Sequence, residues 1–338
     1  MKKKNYNIAN LQLLITFGIL VLLMVVLAIY SENYLSVTNI FNILKQRACL
    51  IICCCAMNFV LISGGIDLSV GAVYAFVSCV VAKLAVEGIP LPVAMIIGIV
   101  AGAACGSLSG LLITFCKLPP FISTLSVSYL AQGTGYVISN SAPIFSGLPA
   151  NYGWVNGFLL GVPYIIWIAA VIFIIFLIIQ RTTVFGKHIF AIGGNPETAR
   201  LSGINVKKAT IAVYVISGIL AAIAGILQSS RISSGDPNLV TSGLEFQAIV
   251  SNVLGGVSLN GGQGSLIGAL IGALILGNLY NGMNLLGFGT VYQFIIQGFV
   301  LIVAVIVDLS LKGIGIDFKG IKVSMSKTSK RKSEKNSN

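Results

Sequence analysis

Apolar runs long enough to cross a bilayer recur along the whole chain, and IIWIAAVIFIIFLII at residues 165–179 contains no charged or amide side chain. A helix needs roughly 18 or more such residues to span a hydrocarbon core of about 30 Å. A transmembrane barrel would instead show runs of about ten residues alternating apolar with polar, and these runs do not alternate. Composition agrees, with 56% of the 338 residues hydrophobic, 9% charged and a mean hydropathy of +0.96. Soluble domains carry about a quarter charged residues. The sequence therefore predicts an all-α polytopic membrane protein.

The expected spans are 11–30, 47–63, 68–86, 91–116, 120–139, 162–180, 209–228, 246–260, 264–286 and 291–311, ten in all. An even number puts both termini on one side. Placing them in the cytoplasm puts 17 of the 21 Lys and Arg residues inside, following the positive-inside bias. Residues 1–10 are then a cytoplasmic N-terminus and 11–311 the transmembrane domain, with a cytoplasmic loop at 181–208. Residues 312–338 form a basic cytoplasmic tail, disordered by composition. The first run follows Met-Lys-Lys-Lys but exceeds a signal-peptide core and lacks a small-x-small cleavage site, so it reads as a membrane anchor. The net charge of +12 has a topological cause, and the tail beside anionic lipid calls for no nucleic-acid partner. Lys45, Arg47, Lys83 and Arg231 are left outside at span ends, where long side chains snorkel to the interface. No acidic or basic residue is expected at a span centre.

Within NFVLISGGIDLSVGAVYAF, Gly64 and Gly65 supply the freedom for a turn between spans two and three. Asp67 is then expected as an N-cap at the cytoplasmic boundary, accepting the first free N–H groups of span three. LNGGQGSLIGALIGAL repeats the pattern, with Gly261-Gly262 followed by Gly268-Ala269 as Gly64-Gly65 is followed by Gly71-Ala72, so an internal repeat is expected. Gly98, Gly102, Gly106 and Gly110 form one smooth stripe on span four, and Gly264, Gly268 and Gly272 a second on span nine. Such stripes let helices approach backbone to backbone.

Asn278, Asn281 and Asn284, three residues apart, cluster along one side of span nine. Amides donate and accept without net charge, as a sugar's hydroxyls require. Together with Asn58, Gln247 and Asn252 they are the candidate lining of a substrate path, against the plainer reading of interfacial polarity. In the loop at 181–208, Asn195 is a good N-cap, Pro196 suits the first helical position, Glu197 opposes the helix dipole and Gly203 is placed to end the helix. A helix over Pro196 to Ser202 is too short to stand alone in water and needs a surface, either the membrane or a partner. Seven cysteines lie in or at the ends of apolar runs and read as small hydrophobes. Their odd number and the single His188 predict neither a disulfide framework nor a metal site. The chain carries no phosphate-binding G-x-x-x-x-G-K-[ST] motif and no assembled catalytic set, so it is not expected to be an enzyme.

LISGGIDLSVGAVYAF, AIGGNPETARLSGINV and NGGQGSLIGALIGALILGNLYNGMNLLG together resemble the inner-membrane permeases of bacterial ribose-type sugar ABC importers. The resemblance runs from about residue 11 to 311. It implies a plasma-membrane homodimer enclosing the path for a monosaccharide. Ribose is favoured, with xylose, galactofuranose and autoinducer-2 as the other family substrates. It also implies an external sugar-binding protein and a cytoplasmic ATPase, which holds the ATP and Mg while the permease itself carries no cofactor. The helix with Asn195, Pro196, Glu197, Ala199, Arg200 and Gly203 would be the coupling helix that docks on that ATPase. The competing class is a self-sufficient secondary carrier or facilitator for a small neutral solute.

Overall fold

The computed structural model describes residues 2–311, and the expected basic tail at 312–338 lies outside them. Twelve α-helices follow in chain order: α1 (Lys2–Tyr30), α2 (Val37–Ile62), α3 (Val70–Val86), α4 (Leu91–Thr114), α5 (Pro120–Ser139), α6 (Tyr164–Thr182), α7 (Val184–Gly194), α8 (Pro196–Leu201), α9 (Val206–Ile232), α10 (Leu244–Leu254), α11 (Leu266–Leu285) and α12 (Thr290–Leu311). The one sheet among the described residues is a two-residue antiparallel hairpin, β1 (Phe158–Leu159) with β2 (Val162–Pro163). Among the described residues, six segments are long and apolar enough to cross a membrane: Leu13–Tyr30, Val37–Ile62, Leu91–Thr114, Tyr164–Thr182, Val206–Ile232 and Leu266–Leu285.

The second span starts ten residues before the expected one, at Val37, with Ser36 as its cap. The early start was hidden by Lys45 and Arg47, which broke the apolar pattern. From Ala48 to Ile62 every side chain of α2 is buried. A helix apolar on all sides belongs at the centre of a bundle, and α2 is enclosed by α6, α9, α10 and α11. Cys49, Cys53, Cys54, Cys55 and Cys79 are buried and unbridged, while Cys116 is exposed. The eighth span is shorter than expected, because α10 stops at Leu254. A Cβ at Gly255, the next residue, would run into the carbonyl of Gly268.

The glycine stripes fold onto neighbours within the subunit. Along α4, a Cβ at Gly106 would meet the Tyr214 carbonyl oxygen of α9, and one at Gly102 would lie 2.5 Å from the Gly218 oxygen. Gly110 faces Ile211, while Gly98 faces Val77 and Val81 of α3. In the second stripe Gly268 abuts Gly255, Gly272 abuts the Ser251 carbonyl, and Gly264 is held between Ile62 and Val257. Side chains at these positions would part the helices.

Candidate functional site

The irregular segment between α2 and α3 carries Asp67 into the interior. Its Oδ1 accepts the Ser69 backbone N–H at 2.9 Å and the Ser69 hydroxyl at 2.6 Å, and Oδ2 accepts the Ser217 hydroxyl at 2.6 Å. Ser217 is the twelfth residue of the 27-residue α9, about 16 Å along that helix at 1.5 Å per residue. Asp67 is 1% exposed, so the expected boundary cap is corrected. The carboxylate lies near the middle of a spanning helix, and Ser69, not Asp67, occupies the cap position of α3. Three donors compensate the charge, which allows it to be buried.

The candidate path residues fall into three environments. Asn58 Nδ2 donates to Asn252 Oδ1 at 2.8 Å, Gln180 Nε2 donates to Asn58 Oδ1, and Gln180 Oε1 accepts the Leu266 N–H at 3.1 Å. Asn252 Nδ2 also reaches the carbonyls of Ala248 and Cys54. Asn58 and Asn252 are 0% exposed, and their bonding capacity is spent joining α2, α6, α10 and α11. They hold the bundle together, which corrects their expected place on a path. Gln180, the third member, escaped the sequence reading because it closes an otherwise unbroken apolar run.

The asparagine side of α11 faces the start of α2. Asn281 and Asn39 exchange amide bonds at 2.8 and 3.0 Å, and Asn278 accepts from the Tyr34 hydroxyl. Asn278 and Asn281 are therefore buried against the α1–α2 connection, and only Asn284 is exposed, accepting from Gln293 at 2.7 Å. The three do share a helix side, but at Asn278 and Asn281 that side is an internal seam. Gln247 is the remaining candidate, and its Oε1 accepts from Arg47 Nη1 at 3.0 Å. Arg47 stands ten residues inside α2, which corrects its expected place at a span end. With Asp67 and Glu245, whose carboxylate packs on Gly71, it also overturns the expectation of an interior without charge. A cavity of about 280 Å³ between α2, α6 and α11 is lined by apolar side chains such as Leu44, Ile51, Phe173 and Leu274, and offers a sugar no hydrogen bond.

The loop at 181–208 folds into two helices. Asn195 caps α8 by accepting the Thr198 N–H at 2.9 Å, and Gly203, at φ +85°, closes its end as Ile204 N–H reaches back to Ala199 at 3.1 Å. Arg200 forms a two-point ion pair with Glu197 on the surface, which holds that carboxyl below its usual range. Ala199 is 3% exposed and packs with Ile192 and Ala209. It faces its own chain, so its expected role as a partner contact is corrected. The outward apolar side chain is Leu201, 75% exposed, which the capping signals did not single out.

Directly before this helix, the end of α7 meets both glycine turns. Gly262 N–H donates to the Ile62 carbonyl at 2.8 Å. A Cβ at Gly193 would strike that same carbonyl, and one at Gly261 would lie 2.9 Å from both Gly64 Cα and the Gly193 oxygen. Gly64, Gly261 and Gly262 all have positive φ, between +72° and +83°, a region that only glycine enters freely. Three turns distant in sequence thus share one backbone junction.

A family model described as "Branched-chain amino acid transport system / permease component" matches residues 39–305. The chain is 40% identical over 293 residues to the ribose import permease protein RbsC of Escherichia coli K12, covering 86% of this chain and 91% of that one. It is also 40% identical over 292 residues to RbsC of Bacillus subtilis 168, covering 86% and 90%. To the D-allose transport system permease protein AlsC of E. coli K12 it is 34% identical over 300 residues, covering 86% and 91%. No solved structure matches the chain. With a helical bundle of six membrane-length segments and a match over most of its length, the chain belongs to the ribose-type ABC importer permeases, multi-pass proteins of the bacterial inner membrane.

Proposed function

We propose that the chain forms, as a homodimer, the path by which a monosaccharide enters the cell, with ribose favoured. An external binding protein delivers the sugar and a separate ATPase drives its passage. The names of the relatives support a sugar, and those for ribose and allose leave its identity to experiment. The observation that carries the reading is α8 itself. It is a capped two-turn helix, exposed except at Ala199, and it continues directly into the backbone junction of three turns. Such a helix gains stability by docking on a partner. Its displacement would pass through Gly193 to the turns that join α2 to α3 and α10 to α11. In this reading ten segments cross the membrane with both termini inside, and the two glycine turns are the matching turns of a duplicated half.

The test is uptake of labelled ribose into proteoliposomes holding the permease with its ATPase and binding protein. Transport that requires ATP and both partners is the expected result. Uptake by the permease alone, without nucleotide, would establish the secondary carrier instead.

A further inference from the structure

Arg47 is held in α2 at a depth of about 15 Å from the first residue. Its stem packs on Gly277 of α11, where a Cβ would come within 2.8 Å of Arg47 Cγ, and its guanidinium lies 4.7 Å from the Tyr280 ring centroid. Nη1 reaches Gln247, but the buried Nε has no hydrogen-bond partner. Among the described residues, ion pairs join Lys83 to Glu87 and Arg200 to Glu197, and none includes Arg47. Glu245 is two residues before Gln247 and so on the opposite side of α10, against Gly71 of α3. Arg231 lies in the last turn of α9. It donates to Gln228 at 2.9 Å, and Gln228 in turn meets Cys49 of α2.

The Arg47 guanidinium thus has one neutral amide and one aromatic ring as partners and, among the described residues, no carboxylate. An unneutralised cation at this depth is costly, and an intramembrane ionisable residue marks a functional site more often than a structural one. An unmet buried donor adds a second cost. An apolar side chain on Gly277 would avoid both.

We propose that Arg47, with Gln247 beside it, is a substrate-contact point. Its Nε–H donates to an oxygen of a polyhydroxylated solute passing between α2 and α10. This rests on the sugar-importer reading. Nε is covered in this conformation, and movement of α10 away from α2 would uncover it while freeing Gln247. A guanidinium donates from a rigid fork, Gln247 both donates and accepts, and sugar hydroxyl and ring oxygens complement the pair.

The experiment uses the complete transporter in proteoliposomes and measures ATP-driven uptake of ribose and of deoxyriboses that each lack one hydroxyl. The binding protein's own preference is common to every variant, so changes in the ratio of ribose to deoxyribose report the permease. Arg47→Gln should lower ribose uptake about tenfold, the loss of one charge-assisted hydrogen bond, and bring the ratio for at least one deoxyribose toward one. Arg47→Lys, which keeps the charge without the fork, should fall between. Where Arg47→Gln does not fold, Arg47→Met, of similar length and apolar, takes its place. Equal loss for every sugar, or unchanged ratios in all variants, overturns the contact and leaves the importer reading standing. A wild-type complex that moves no sugar overturns both.

Discussion

Replacing Gly193 with alanine tests whether the backbone junction carries force from α8. A Cβ at this position would overlap the Ile62 carbonyl oxygen and come within 2.5 Å of the Gly262 nitrogen. Both obstacles are backbone, so no rotamer change relieves them, and the turns must part by roughly 1 Å or more. Overpacking of this kind costs about 1–3 kcal/mol, against about 0.5–1 kcal/mol gained when alanine replaces a helical glycine. Gly194 is a control in the next position, since a Cβ there meets nothing within 4 Å. If the closed junction is one of two arrangements in the transport cycle, Gly193→Ala should shift the balance about 5- to 150-fold. The assay is ATP hydrolysis and ribose uptake by the same proteoliposomes, with thermal unfolding in detergent measured in parallel. Gly193→Ala should hydrolyse ATP with little uptake, while Gly194→Ala behaves as wild type. Equal coupling in the two variants, at equal stability, would refute the junction as a transmission path.

Asn252→Leu should destabilise the protein by about 1–3 kcal/mol, because it strands the buried Asn58 donor. Uptake per folded molecule should be unchanged, and a melting curve beside an uptake assay separates the two effects. Leu201→Glu, at the exposed apolar position of α8, should reduce co-purification of the ATPase while the permease still assembles, as read by size-exclusion chromatography. Asp67→Asn keeps an acceptor for the Ser69 N–H and should be tolerated. Asp67→Ala strands the Ser69 and Ser217 donors and should cost about 3 kcal/mol or more, measured by thermal unfolding. Equal stability of the two Asp67 variants would contradict the interior network.

Membrane class and most helices were legible in the sequence because they rest on local properties. Length, apolarity and missing charge act within one helix, and so do the capping signals that set α8 between Asn195 and Gly203. The glycine stripes were visible for the same reason, as a periodicity of four on one helix face. What each side chain faces is a property of two helices, and only the tertiary structure decided it. The sequence showed three asparagines on one side of α11, but the chain around the start of α2 buried two of them, Asn278 and Asn281, in a seam. Gly193 looked like an unremarkable small residue until the fold brought turns more than a hundred residues apart onto it, and Ala199, expected to face a partner, was covered by helix α9. Arg47 and Asp67 reversed their expected positions because a charge interrupts an apolar pattern whether it lies at a boundary or in the interior. Only amides, hydroxyls and an aromatic ring contributed by other helices make the interior tolerable, and one-dimensional pattern contains no term for such partners.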